Sequence, residues 1–183
     1  MTRGRVIFYT GCMFSGKSLS LIKKTKDLGG SFECFKPNID KRNSNFIASR
    51  GYAERLAANS IDNIEEIANT KADVVVIDEA QFFNSDGFGD VINFLRDQGK
   101  TVLIGGLDRI ANGKYWNIYP IIVELADEVV RLSAQCNICG GEATYTKKLK
   151  GSDEDIQMEG EEVVFIPVCE ECFRTNRTPD KKD

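Results

Sequence analysis

Three groups of residues in this chain have types and spacings that could do chemistry. The first is Gly11-Cys12-Met13-Phe14-Ser15-Gly16-Lys17-Ser18, a complete G-x-x-x-x-G-K-[ST] match. Its glycines let backbone N–H groups turn inward around phosphate oxygens, and a helix starting at its end adds a positive dipole end. Lys17 then reaches the β- and γ-phosphates of ATP and the Ser18 hydroxyl ligates Mg²⁺, with Gly11, Met13, Phe14, Ser15 and Gly16 forming the cradle. The second is Asp78-Glu79, which follows the aliphatic run Val74-Val75-Val76-Ile77. An aspartate at such a strand end holds Mg²⁺ directly or through water, and the glutamate beside it is a candidate general base. Alone, the pair reads equally well as two acids solvated at a strand end; a phosphate loop that needs an acidic partner favours function. The third is Cys136-x-x-Cys139 with Cys169-x-x-Cys172. Four thiolates in two such pairs make a closed tetrahedral Zn²⁺ site, structural rather than catalytic. Disulfides and a redox Cys-x-x-Cys compete with that reading, and a reducing compartment disfavours the former. Cys12 and Cys34 read more simply as a small loop residue and a buried strand residue.

Weaker features each carry two readings. Asp40 and Arg42 either contact phosphates or solvate a loop. Trp116, Phe82 and Phe83 either stack on a base or belong to the core. Lys147-Lys148-x-Lys150 reads as a solvated face before a binding patch.

Elements must exist to hold these groups in place. Residues 5–10 read as a buried strand that leads into the phosphate loop. A helix over 17–28 follows, with Leu21, Ile22, Thr25 and Leu28 on one face and Gly29-Gly30 as its stop. A second strand spans 32–36 and halts at Pro37, and the polar stretch 38–59 reads as a mobile or irregular loop. Asp62-x-x-Glu65 resembles a capping box for a short amphipathic helix carrying Ile61, Ile64, Ile67 and Ala68. Val74–Ile77 has the continuous β-branched character of a central parallel strand covered on both faces. A helix over 88–98 and a buried strand over 101–107 complete a strand–helix alternation that implies a mainly parallel sheet. The pattern changes near Ala134. We therefore expect a core over 1–134, a zinc-bearing module over 135–173 and a flexible tail over 174–183.

Composition narrows the partners. The chain has 183 residues, a net charge of −4 and no histidine, with a sequence pI near 5.1. An acidic chain offers no broad basic field for a nucleic-acid backbone. Without histidine, carboxylates, lysines, arginines and thiolates must carry any chemistry. Val74–Ile77, the longest purely aliphatic stretch, is far too short to span a bilayer, and strand-like sequence from Val6 leaves little room for a leader. A cytoplasmic setting is expected.

Taken together, GCMFSGKS (11–18), KPNIDKR (36–42), VVVIDEAQFF (74–83), LIGGLD (103–108), EATYTKKL (142–149) and the two cysteine pairs resemble the thymidine kinase family that carries a zinc-bearing lasso domain. The likeness runs from about Val6 to Phe173. It implies an α/β P-loop core with a mainly parallel sheet and a small zinc-binding lasso domain. The implied reaction moves the ATP γ-phosphate to the 5′-hydroxyl of a pyrimidine deoxynucleoside, thymidine in the type case. The resemblance places the catalytic base at Glu79 and the metal-side acid at Asp78, and puts Asp40 and Arg42 near the phosphates. Met13, Phe82, Leu107, Trp116, Thr146 and Phe165 would surround the nucleoside, within reach of a lasso over 141–168, and the implied assembly is a homotetramer. Two positions depart from the family pattern: Ala111 replaces an aromatic residue, and Phe165 replaces a tyrosine. Both touch the nucleoside pocket rather than the phosphate machinery. A kinase for another or modified pyrimidine nucleoside, and an ATP-binding switch whose zinc module binds a partner, are the alternatives.

Overall fold

The computed structural model describes residues 3–40, 45–150 and 163–179. The strands of its main sheet come from apolar runs. β1 (Val6–Gly11) is buried along its whole length and leads through the phosphate loop into α1 (Lys17–Leu28). β2 (Phe32–Pro37) follows, then the short strands β3 (Phe46–Ala48), β4 (Arg55–Ala57) and β5 (Asn59–Ile61). After β6 (Val74–Ile77) come α2 (Phe88–Asp97), β7 (Thr101–Leu107), α3 (Tyr119–Leu125) and β8 (Glu128–Leu132). Among the described residues six strands form one sheet in the order β5-β2-β6-β7-β1-β8, and every pairing in it is parallel.

Alternation along β6 explains why its run is unbroken. Val75 and Ile77 pack on one face with Phe88, Ile92, Leu95 and Ile122 of α2 and α3. Val74 and Val76 pack on the other with Leu21 and Ile22 of α1 and with Ile47 and Leu56. A strand covered on both faces has no position at which a polar side chain would be solvated. In α1 the Thr25 hydroxyl donates to the Leu21 carbonyl at 2.7 Å, which satisfies a polar group that is fully buried. Leu28, expected on the apolar stripe, is 43% exposed beyond the edge of the sheet's cover.

Several expectations from the sequence are corrected. The stretch 38–59 contains an antiparallel β3–β4 hairpin, whose Ile47 and Leu56 are buried over α1. The helix expected after Ile61 is a 3₁₀ turn over Ile64–Asn69, and Ile61 ends β5 instead. Its capping box lies one residue later than expected, with the Asn63 N–H donating to Glu66 Oε1 at 2.9 Å. Burial of Ile64 and Ile67, three residues apart, suits the threefold period of that turn. β8 was not expected.

The chain leaves the main sheet at Leu132 and enters two small antiparallel ladders. β9 (Ala134–Gln135) pairs with β10 (Glu142–Ala143), and β11 (Tyr145–Lys150) pairs with β12 (Val164–Val168). α4 (Glu170–Arg174) closes this module. Lys147 is not on a solvated face: it is buried, and its Nζ donates to Asn176 Oδ1 at 2.8 Å and to the Arg177 carbonyl at 2.6 Å. Residues just after α4, expected to be a loose tail, are thereby tied to β11.

Candidate active site and four-cysteine cluster

The phosphate loop begins where β1 ends. Gly11 has φ of 142°, and a Cβ there would lie 2.1 Å from the Leu132 carbonyl oxygen of β8, so no other residue fits. Phe14 and Gly16 also adopt positive φ, 65° and 84°, the left-handed backbone from which anion-binding concavities are built. Lys17 folds over this turn, donating to the carbonyls of Cys12 at 2.6 Å and Gly11 at 3.3 Å. Burial lowers the Lys17 ammonium from its usual range, and the charges of Glu79, Asp78 and Asp108 work against that effect. An anion entering beside Lys17 is favoured for the same reason.

The end of β6 supplies the acids. Asp78 is 5% exposed and accepts a 2.8 Å bond from the Ser18 hydroxyl, so the two residues expected to hold Mg²⁺ are in contact. Burial first, and then the neighbouring Glu79 charge, raise the Asp78 carboxyl to about 6 despite the Ser18 bond. Glu79 has φ of 53°, and its side-chain Oε2 accepts from Gln81 Nε2 at 2.5 Å. Two glycines of LIGGLD make room for this arrangement. A Cβ at Gly105 would lie 2.8 Å from Asp78 Oδ1, and one at Gly106 would lie 3.4 Å from Gln81 Oε1.

A single cavity of about 660 Å³ joins these groups. Met13, Phe14, Ser15, Gly16, Lys17 and Ser18 form its phosphate-loop wall, with Asp40, Asp78 and Glu79 beside them. Phe82, Leu107 and Trp116 form an apolar wall, and Thr146 and Phe165 reach it from β11 and β12. Phe82 and Trp116 meet edge to face with centroids 5.5 Å apart. Phe83, the third aromatic candidate, belongs to the core. Ala111 lines the cavity. Arg42 lies outside the described residues.

Some participants were not singled out from the sequence. Lys36 lines the cavity and pairs with Asp40 at 2.7 Å, both nearly inaccessible; their i,i+4 spacing is visible only once β2 is known to end between them. Arg109 lies between two tyrosine rings, 4.7 Å from Tyr115 and 4.6 Å from Tyr145. Only the fold brings those rings together. Gln81 stands inside VVVIDEAQFF (74–83), but no role was read for it.

The four cysteines converge as their spacing suggested. Sγ atoms of Cys136, Cys139, Cys169 and Cys172 lie within 4.8 Å of one another, and Cys139 and Cys169 are 3.6 Å apart. Tetrahedral Zn–S bonds of about 2.3 Å require sulfurs roughly 3.8 Å apart, so the set fits zinc and its spacing exceeds a disulfide bond. Burial opposes ionisation of Cys136, but backbone N–H groups of Cys139, Cys169 and Ile138 outweigh it and bring the thiol to about 6. Cys12 differs from its expectation as a mere loop residue, because it packs in the same apolar cluster as Cys136, Ala143 and Cys172. Burial raises the Cys12 thiol, which stays protonated and donates to the Ala143 carbonyl at 3.3 Å. Next to it the Met13 N–H donates to Thr146 Oγ1 at 3.0 Å. The phosphate loop is thus fastened to the cysteine module. Cys34 is an ordinary buried strand residue.

A phosphate loop between β1 and α1 and an acid pair at the end of β6, on the far side of β7, share one cavity and define a phosphotransferase of the P-loop class. The chain belongs to the thymidine kinase family, whose model, described as Thymidine kinase, matches residues 4–173. It is 36% identical to the Thymidine kinase of Bacteroides thetaiotaomicron, over 97% of this chain and 91% of that protein. It is 35% identical to the Thymidine kinase of Bacteroides fragilis, over 98% and 92%, and 33% identical to that of a Rhodothermus species, over 91% and 80%. Among solved structures, a crystal structure of a DNA replication initiation factor matches weakly: TM-score 0.42 and 15% identity, over 73% of this chain and 41% of that one.

Proposed function

We propose that this chain is a thymidine kinase, transferring the γ-phosphate of Mg-ATP to the 5′-hydroxyl of thymidine in deoxynucleoside salvage. One observation carries the mechanism: the phosphate loop, the Asp78–Glu79 pair and an aromatic wall share one cavity. In this reading the loop from Gly11 to Ser18 cradles the triphosphate, and Lys17 neutralises charge on the transferring group. Ser18 and Asp78 hold Mg²⁺, with Asp40 close by. Glu79 takes the proton of the attacking hydroxyl, and Arg42 adds positive charge. Met13, Phe82, Leu107, Trp116, Thr146 and Phe165 enclose the nucleoside. Positioning and electrostatics supply most of the rate in such a transfer. Cys136, Cys139, Cys169 and Cys172 would hold a structural Zn²⁺, which rigidifies the module that presents Thr146 and Phe165.

A homotetramer in the cytoplasm, with neither nucleic acid nor membrane as partner, completes the proposal. Among the described residues no helix is long and apolar enough to cross a membrane.

Glu79→Gln tests the assignment, because it keeps the shape of the side chain and removes its basicity. A positioned general base contributes about 10²–10⁴-fold, so kcat for thymidine phosphorylation should fall by that factor. Calorimetric affinities for ATP and thymidine should change little, since the loss belongs to the transition state. Near wild-type turnover would remove Glu79 from the chemistry. A panel of pyrimidine nucleosides, run on the unmodified enzyme, identifies the preferred substrate; Ala111 and Phe165 both line the cavity where such a preference is set.

A further inference from the structure

We propose that Gln81 is a positioning residue for the base: its buried amide holds the Glu79 carboxylate at one end and is anchored to the end of β7 at the other. The inference rests on Glu79 accepting the proton of the substrate hydroxyl, as set out above. Gln81 is 4% exposed and lies in the single 3₁₀ turn Ala80–Phe82. Its Oε1 accepts the Leu107 N–H at 3.0 Å, and its Nε2 donates to Glu79 Oε2 at 2.5 Å.

The orientation of that amide is fixed by chemistry. A backbone N–H can only donate, so the amide oxygen must face Leu107, and the NH₂ is then turned toward Glu79. An amide nitrogen can only donate in return, and a carboxylate oxygen accepts that bond. The left-handed backbone at Glu79, φ 53° and ψ 38°, is a conformation that residues with a side chain rarely adopt. It reverses the chain directly after β6 and brings Gln81 back beside Glu79. The Glu79 N–H is bonded in turn to Asp78 Oδ1 at 2.9 Å. Asp78 acts on Glu79 from the end of β6 and Lys17 from the phosphate loop. Neither of them bridges to β7. Leu107 lines the same cavity as Glu79, so one amide sets the distance between the base and the wall of the nucleoside pocket.

A double-mutant cycle read by steady-state kinetics with Mg-ATP and thymidine tests this. Gln81→Leu should lower kcat by about 10–100-fold, the scale of a misplaced catalytic group, with KM for ATP nearly unchanged. In the Glu79→Gln background the same substitution should lower kcat by less than about twofold, because a residue acting through Glu79 has nothing left to position. Multiplying effects would mean that Gln81 matters only to the fold, and the proposal fails. Full turnover in Glu79→Gln alone would instead overturn the base assignment beneath it, a separate outcome. Gln81→Glu decides the matter even if the leucine variant does not fold. Protonated, that side chain reproduces both bonds; ionised, it repels Glu79. Its turnover should approach wild type near pH 6 and fall by about tenfold or more toward pH 9, through a limb the wild type lacks. A profile of unchanged shape would sink the idea.

Discussion

Asp78 shows how stability and function oppose each other at a single residue. Its carboxyl is raised from 3.8 to about 6 by burial and by Glu79, so the folded protein holds the proton more tightly than the unfolded chain. The penalty for ionising it is absent below 3.8, grows as pH rises toward about 6 and is complete above that. At 1.36 kcal/mol per unit this is on the order of 2–3 kcal/mol. Asparagine can keep both hydrogen bonds, accepting from the Glu79 N–H and donating to the Ser18 oxygen, without a charge. Asp78→Asn should therefore raise the melting temperature of the ligand-free protein at pH 7.5 by about 4–10 °C, an advantage that shrinks as pH falls below 6. The same variant should need more Mg²⁺ and turn over more slowly. A melting temperature unchanged at both pH values would show that burial does not strain this carboxylate.

At the scale of elements, the crowding of strand ends decides what the site tolerates. Gly105 of β7 faces Leu21 of α1 and Asp78 just beyond β6, and an added Cβ would lie 2.6 Å from Leu21 Cδ1. Overpacking of this kind costs about 1–3 kcal/mol, so Gly105→Ala should lower the urea midpoint and displace Asp78, reducing kcat as well. Gly106→Ala, whose nearest neighbour would be 3.4 Å away, should be milder in urea. Equal urea midpoints for the two variants would contradict this account. The same elements show what could be read in advance. β1, β6 and β7 are continuous apolar runs buried on both faces, which leave an unmistakable mark in a sequence. β8 is an edge strand with its pattern only half buried, and β3 and β4 are three residues each; neither length nor periodicity marks such strands. The phosphate loop and the cysteine pairs were legible because local spacing defines them. Gln81, Lys36 and Arg109 were not: Glu79, Asp40 and Tyr115 are near them in sequence, but the turns that fold each pair together leave no mark in spacing, and Leu107 and Tyr145 are brought alongside only by the tertiary fold.

For the molecule as a whole, the cysteine module and the phosphate loop behave as one assembly. Met13 bonds Thr146, and Cys12 bonds Ala143 within the cluster that includes Cys136 and Cys172. With Zn²⁺ on the four cysteines as proposed, stripping it with a chelator should therefore weaken ATP binding as well as thymidine binding. Loss of one such hydrogen bond, about 1 kcal/mol, corresponds to roughly a fivefold change, measurable by calorimetry, while the far-ultraviolet signal of the main sheet persists. Unaltered ATP affinity in metal-free protein would show that the two parts act independently. The strand order has a further consequence, for the making of the protein. β1 lies between β7 and β8, so the first strand of the sheet to leave the ribosome cannot be flanked until Leu132 has followed. At about 5–20 residues per second that is a wait on the order of ten seconds. Until Leu107 emerges both edges of the apolar segment Val-Ile-Phe-Tyr are unpaired, and one edge stays open to chaperones and to other nascent chains until Leu132 follows, so the strand that carries the phosphate loop is among the last to be secured.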